Sequence, residues 1–335
     1  MELPLLCREN LEQMTENADI AEMKRCVQRM TERYQTSSAS GAVLVGTGTE
    51  VLSYAVVRMP ATFGAVSSAL RETLRSLPGE TAAGMHTVLD LGAGTGAAAW
   101  AVTEQLPDAR ITCVEREAEM LRIGKALRAG DKADVTWIRE DALSAVRRYA
   151  AEGTRFDLVT ASYMTNELQP SVRRALLDAL WKVTGKVLLL VEPGTMAGYG
   201  ILRETRNALR GMGASVAAPC PAVGDCPLAA DDWCHFTVRV ARSRLHKLLK
   251  GGDVPYEDEK FSYLACAGGE TLPCPSRILR HPLKESGKIT LTLCTPQGWH
   301  ETAVTKREKA AFTAARKADC GDPFGEPPEV SDIGK

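Results

Sequence analysis

Val88-Leu89-Asp90-Leu91-Gly92-Ala93-Gly94-Thr95-Gly96 decides the fold. A short strand-forming run carrying Asp90 passes directly into glycines at 92, 94 and 96. Glycines in that position let the backbone turn sharply from a strand into a helix and let a ligand approach without a Cβ in the way. The spacing is G-x-G-x-G, not the G-x-G-x-x-G of dinucleotide folds. It favours S-adenosylmethionine over NAD, with Asp90 facing the methionine amine.

Downstream of the loop, β-rich runs alternate with helical ones: Thr87 to Leu91, Ile111 to Glu115, Val135 to Ile138, Phe156 to Ala161 and Lys186 to Glu192. The alternation predicts a doubly wound α/β sheet, the Rossmann-like sheet of class I S-adenosylmethionine-dependent methyltransferases. Ligands of such sheets collect at the carboxyl ends of the strands. Glu115 ends the second strand, where a carboxylate can accept from both ribose hydroxyls. Asp141 follows the third and can meet the adenine amine, although an acid there also serves as a helix cap. Thus Asp90, Gly92, Gly94, Gly96, Glu115 and Asp141 form the expected cofactor site. Tyr163, Asn166 and Glu167 follow the fourth strand, near the transferable methyl, and Asn166 and Glu167 are the catalytic candidates. Methyl transfer needs alignment more than acid or base chemistry. No Asn/Asp-Pro-Pro-Tyr/Phe motif is present to grip a base amine, and no cysteine stands at this strand end to attack cytosine. DNA is not an expected partner.

Residues 1–80 read as a helical region, with Leu11, Met14, Ala18, Ala21, Met23, Val27 and Met30 at three- to four-residue intervals. Gly41, Gly46 and Gly48 interrupt it, Pro60 stops or kinks the next helix, and Arg58 reads as a solvated charge. Residues 81–213 form the core, ending in a helix from about Met196 to Met212. Residues 214–259 read as a cysteine-rich insertion. Residues 260–300 then close the sheet as an antiparallel hairpin of Lys260–Cys266 and Lys288–Cys294, and 301–335 are a C-terminal helix and tail.

The chain has 335 residues, 44% of them hydrophobic, enough to bury a substantial core. It contains no run of eighteen apolar residues, and its opening lacks the basic and apolar regions of a signal peptide. A soluble, cytoplasmic, monomeric protein without membrane contact is expected. In a reducing compartment clustered cysteines bind metal or react more often than they pair. Three of the ten cysteines, Cys220, Cys226 and Cys234, fall within fifteen residues, and two of these precede proline. Five and seven residues intervene between them, wider than zinc pairs use. A larger iron-sulfur cube tolerates that spacing, and proline stiffens its loops. The residues leave the fourth ligand open among Cys266, Cys274, Cys294 and His235.

The formal net charge of −1 argues against a uniformly basic nucleic-acid binder, but the charge is segregated. From Phe236 to Gly252 there is no acid, and Arg239, Arg242, Arg244, Lys247 and Lys250 surround an apolar stripe of Phe236, Val240, Leu245, Leu248 and Leu249. The pattern predicts a basic amphipathic helix that contacts RNA phosphates. Arg277, Arg280, His281, Lys284 and Lys288 extend the basic surface.

With these segments assembled, the chain resembles the methyltransferase-like proteins of the mitochondrial small ribosomal subunit and their bacterial relatives. The resemblance rests on Arg58-Met59-Pro60-Ala61-Thr62-Phe63, the Asp90–Gly96 loop, Ser162 to Leu168, Glu192-Pro193-Gly194, the cysteine run through Cys234-His235-Phe236, Glu257 to Tyr263, and Leu293-Cys294-Thr295. It implies a role in small-subunit ribosome assembly or translation, contact with ribosomal RNA, and a 4Fe-4S cluster. It also implies that Cys294 is the fourth ligand and that Cys266 and Cys274 are not. Methyl transfer itself is not implied. Two other readings fit the residues: a non-catalytic RNA-binding assembly factor that keeps the cofactor pocket, and a zinc-stabilised small-molecule methyltransferase.

Overall fold

A computed structural model describes residues 1–36, 46–221, 224–229 and 231–325. Gly41 and residues 326–335 of the tail lie outside the described residues. The N-terminal region is helical: α1 (Leu5–Thr15), α2 (Ile20–Thr36), α3 (Gly48–Val57), α4 (Met59–Arg75) and α5 (Gly79–Ala83). Thr47 and Glu50 start α3 with a reciprocal cap, each side chain accepting the other's backbone N–H at 3.2 and 3.3 Å. The break expected at Pro60 falls just before it, where α3 ends at Val57 and Arg58 joins the two helices. Pro60 itself sits in the first turn of α4, where a missing N–H costs no hydrogen bond.

The core then follows the expected alternation: β1 (Thr87–Leu91), α6 (Ala97–Gln105), β2 (Arg110–Glu115), α7 (Ala118–Leu127), β3 (Val135–Arg139), α8 (Ala142–Ala151), β4 (Phe156–Ser162), α9 (Pro170–Val183), β5 (Thr184–Pro193) and α10 (Met196–Gly211). The five strands are parallel in the order β3-β2-β1-β4-β5. Their apolar residues face two cores. Val88, Leu158, Val187 and Leu189 pack toward the N-terminal helices, and Leu89, Leu91, Val159 and Leu188 pack on the opposite face. Gly198 marks how closely α10 sits on the end of β5, because a Cβ there would lie 2.2 Å from the Pro193 carbonyl oxygen.

Beyond β5 the structure corrects the expected closure. The remaining elements are β6 (Ser215–Ala218), β7 (Phe236–Ala241), α11 (Arg244–Lys250), β8 (Tyr256–Ala267), β9 (Arg277–Ile278), β10 (Leu283–Glu285), β11 (Lys288–Thr295), β12 (Gly298–Thr305) and α12 (Lys309–Lys317). The long β8 runs antiparallel to β5 and pairs on its other side with β6 at one end and β7 at the other. The order β3-β2-β1-β4-β5-β8-β6, with one antiparallel strand wedged in, is the methyltransferase sheet. However, the partners of β8 come from residues 214–259, not from Lys288–Cys294. β11 belongs instead to a second, four-stranded sheet with β9, β10 and β12.

The burial patterns give the reason. From Phe261 to Ala267 every residue of β8 is buried, as a central strand requires, whereas β11 alternates buried Ile289, Leu291 and Leu293 with half-exposed Thr290 and Thr292. A one-sided strand needs its own core, which Ile278, Val304 and Ala315 complete. Arg277, 1% exposed, ties this sheet to the rest by donating to Glu72 Oε2 at 2.5 Å, the Pro219 carbonyl at 3.1 Å and the Gly321 carbonyl at 2.8 Å.

The single basic helix predicted over Phe236–Gly252 is also corrected. Phe236, Val238 and Val240 alternate inward as strand β7, and only Arg244–Lys250 are helical, capped by the Ser243 hydroxyl and ended by Gly251 at φ 65°. No helix among the described residues is long and apolar enough to cross a membrane.

Candidate cofactor pocket and thiol cage

The turn from β1 into α6 carries Gly92, Gly94 and Gly96 at φ 64°, 55° and 87°, a left-handed conformation that side chains with a Cβ resist. Above it opens a cavity of about 530 Å³ lined by the loop together with Asp90, Glu115, Asp141, Tyr163, Asn166 and Glu167. Tyr54 and Arg58 from the N-terminal helices and Lys250 from α11 complete the wall. Glu115 is aimed by its neighbours, with Oε2 accepting from the Gly94 N–H and Oε1 from the Glu117 N–H, both at 2.8 Å. Asp141 is both a cap and a wall residue, since Oδ1 accepts from the Ser144 N–H at 3.0 Å at the start of α8.

Buried Asp90 and Glu192 and half-buried Glu167 sit at this end of the sheet beside Glu115. Asp90 is 1% exposed; Oδ1 accepts from the Thr160 hydroxyl at 2.9 Å, while Oδ2 makes no well-formed hydrogen bond among the described residues. Glu192, at the end of β5, accepts from the Thr165 N–H at 2.9 Å and its hydroxyl at 2.5 Å. It thereby holds the short 3-10 turn Thr165–Glu167 that presents Asn166 and Glu167 to the cavity. Burial pushes Asp90, Glu167 and Glu192 each up to about 7, with the Thr160 and Thr165 hydrogen bonds only partly offsetting it for Asp90 and Glu192. Next to them, Tyr163 takes φ 57° without being glycine, and its hydroxyl donates to Glu259 Oε1 at 2.9 Å. Glu259 also receives Arg58 at 3.2 Å, so Arg58 is not a solvated charge.

These carboxyls give a pH dependence of definite sign. A carboxyl whose folded pKa exceeds its unfolded value binds protons more tightly when folded, so its stabilising effect is full below the ordinary 3.8 or 4.5 and is lost as pH rises through about 7. Carboxylates held low by partners, such as Glu257, are ionised in both states above pH 5 and contribute no slope there. Burial raises Glu104 and Glu115 in the same direction, and His235, pushed down by burial, opposes the trend as one group against five. The ligand-free protein is expected to lose several degrees of Tm between pH 5 and pH 8 in a calorimetric series, and Asp90→Asn should flatten part of that slope.

The second site lies on the far side of β8. The loop from β6 to β7 crosses there carrying Cys220, Cys226 and Cys234, and these three thiols line a cavity of about 50 Å³ together with Cys294 of β11. Ser262 of β8 fixes Cys234 by donating to its carbonyl at 2.7 Å, and Trp233 Nε1 donates to the Gly194 carbonyl at 3.1 Å. Cys266, Cys274 and His235 are not on the cavity wall. Burial raises the thiol pKa values of Cys220, Cys234 and Cys294, the last to about 12, and the neighbouring thiols push these three up further. Among the described residues no three His, Cys, Asp or Glu side chains gather tightly enough to ligate one metal ion. The four thiols instead stand around a void several times the 10–15 Å³ or so that admits one water.

The predicted basic residues are largely paired, by acids the local sequence did not contain. Arg239 holds Asp258 in a bidentate pair at 2.8 and 2.9 Å, and Arg242 and Lys250 both reach Glu257 Oε2 at 2.8 Å. The acids come from β8, the neighbour of β7 in the sheet. Arg244 and Lys247 have no ion pair among the described residues. Residues that sequence reasoning missed include Tyr54, Glu192, Tyr199 and Arg206, whose roles depend on what their elements face.

A family model described as mitochondrial small ribosomal subunit Rsm22 matches residues 48–325. The chain belongs to the Rsm22 family. This Rsm22-family chain is 29% identical over 289 residues to the human protein named ribosome assembly protein METTL17, mitochondrial. That match covers 81% of this chain and 61% of the relative, so the chain spans about three fifths of the curated relative's length. Among solved structures, an O-methyltransferase family protein from Burkholderia thailandensis is similar at TM-score 0.43 and 14% identity, covering 59% of this chain and 66% of that one. Magnesium protoporphyrin IX methyltransferase from Synechocystis PCC 6803, with bound SAM, is similar at TM-score 0.40 and 14% identity, covering 71% and 91%.

Proposed function

We propose that this Rsm22-family chain is an assembly factor of the small ribosomal subunit that binds S-adenosylmethionine in the β1–α6 pocket and carries a 4Fe-4S cluster on Cys220, Cys226, Cys234 and Cys294. The observation that carries the proposal is the meeting of three cysteines of the β6–β7 loop with Cys294 of the second sheet around one small cavity. The thiol set suits the group. Soft thiolates select iron-sulfur clusters, and the void is too open for a single tetrahedral ion. A bound cluster would cross-link the two sheets.

The first pocket suits the cofactor equally. Asp90 Oδ2 is a buried acceptor awaiting a donor, which the methionine ammonium supplies. Glu115 would take the ribose hydroxyls and Asp141 the adenine amine, with the backbone at Gly92, Gly94 and Gly96 passing close beneath. When bound, the cofactor supplies an electrophilic methyl group. The chain's contribution is alignment and exclusion of water, with Asn166 and Glu167 lining the same cavity. Arg239, Arg242, Arg244, Lys247 and Lys250 are the proposed contacts to small-subunit ribosomal RNA. Exposed ion pairs contribute at most about 1 kcal/mol each, so phosphates can displace the acids from Arg239.

The test is metal and RNA analysis of anaerobically purified protein. The expected preparation is brown, holds about four irons and four sulfides per chain, and crosslinks to small-subunit ribosomal RNA. A colourless protein holding only zinc, or one without preference for that RNA, overturns the proposal. Labelled S-adenosylmethionine then separates its two forms: methyl transfer to the RNA marks an enzyme, and cofactor binding without transfer marks a structural ligand.

A further inference from the structure

The thiol cage is not lined by sulfur and apolar groups alone. α10 runs along it and turns Tyr199 and Arg206, seven residues and two turns apart, to the cavity wall. The Tyr199 hydroxyl lies 3.1 Å from Cys226 Sγ. The Arg206 guanidinium, in a residue 3% exposed, shares the cavity wall with Cys220, whose thiol its positive charge favours in the ionised form, and donates through Nη2 to the Gly224 carbonyl at 2.6 Å, inside the cysteine loop itself. One helix face therefore sets a phenol against Cys226 and a cation on the wall it shares with Cys220.

We propose that Tyr199 and Arg206 set the reduction potential of the cluster held by this cage. The inference rests on the cluster reading above and adds to it which residues of the chain govern the electron. Four thiolates around an iron-sulfur core leave a net negative site, and reduction makes it more negative still. Hydrogen bonds to the sulfurs and a buried cation both favour the more negative state, and so raise the potential. In a poorly solvated cavity both effects are larger than at a surface. Arg277, also on the wall, is already matched by Glu72 at 2.5 Å and adds little net charge. Arg206 brings its cation to Cys220 and Tyr199 a neutral donor to Cys226, so the arginine should have the larger effect.

The experiment uses full-length protein purified without oxygen, with iron and sulfide counted first and the midpoint potential then read by EPR-monitored titration. Tyr199→Phe and Arg206→Gln should retain the cluster. At a fixed potential, Arg206→Gln should shift the oxidised-to-reduced ratio about tenfold toward oxidised, about 59 mV for one electron. Tyr199→Phe should shift it several-fold in the same direction, and Arg206→Lys should recover most of the arginine loss. Full iron with unchanged potentials in both variants overturns the inference and leaves the cluster reading standing; a wild-type protein without iron overturns the reading beneath it. Should Arg206→Gln fail to load iron, Tyr199→Phe decides alone. Loss of iron in that variant too overturns the inference in favour of a purely structural role.

Discussion

Cys294→Ala purified without oxygen should lose its iron, while Cys266→Ala should keep it. Both cysteines are buried, at 7% and 0% exposure, so a general sensitivity of the core to cysteine loss predicts equal damage. Only Cys294 lines the thiol cage. It also arrives from the second sheet, whereas Cys220, Cys226 and Cys234 belong to the loop between β6 and β7. A cluster on the four thereby closes a long loop. By the chain-entropy account, cross-links over such loops contribute about 3–5 kcal/mol. Near the cage the two parts also meet through Arg277, the Arg280–Asp232 ion pair, the Cys320 thiol on the His235 carbonyl, and a small apolar cluster of Tyr199, Leu228, Leu279 and Cys294. With the cluster gone, amides of β9 and β11 should exchange hydrogen at least tenfold faster while those of β1 and β4 hold their protection. Equal iron in the two variants, or unchanged exchange in β11 despite iron loss, would refute the assignment.

The parts of this molecule legible in the sequence are those whose partners are near in the chain. Gly92, Gly94 and Gly96 declare a left-handed turn because few other residues tolerate it, and Glu115 and Asp141 follow their own strands by simple alternation. The cysteine run declares itself by density. What stayed hidden depended on distant neighbours. Phe236–Ala241 fits a helical stripe and a strand equally over six residues, and the presence of β8 beside it selects the strand. The same strand brings Glu257 and Asp258 to the basic residues, cancelling charge that looked free. Lys288–Cys294 resembled a closing strand because it is apolar and β-forming. Its strict alternation signalled a one-sided sheet, a cue that outweighs position in the chain. Tyr199 and Arg206 look like ordinary positions of an amphipathic helix until the cage beside them is known.

Asp90→Asn should weaken S-adenosylmethionine binding by about 10- to 150-fold, the equivalent of one charge-assisted hydrogen bond of about 1.5–3 kcal/mol, measured by calorimetry at pH 8. The substitution preserves shape, and the amide oxygen it introduces would still accept from the Thr160 hydroxyl, as Asp90 Oδ1 does at 2.9 Å. What it removes is the negative charge on an atom buried without a good partner. For that reason stability should move the opposite way. At pH 8 a carboxyl held near 7 is mostly ionised inside the core, at a cost that a neutral amide avoids. The ligand-free Asp90→Asn protein should therefore melt at or above the wild-type temperature at pH 8, with that difference falling toward pH 5, where the native carboxyl is protonated and no longer carries the cost of a buried charge. Affinity and stability changing in opposite directions at pH 8 cannot come from misfolding. Unaltered affinity at pH 8 would remove Asp90 from the cofactor site, and a lowered Tm at pH 8 would show that its charge is already satisfied in the ligand-free protein.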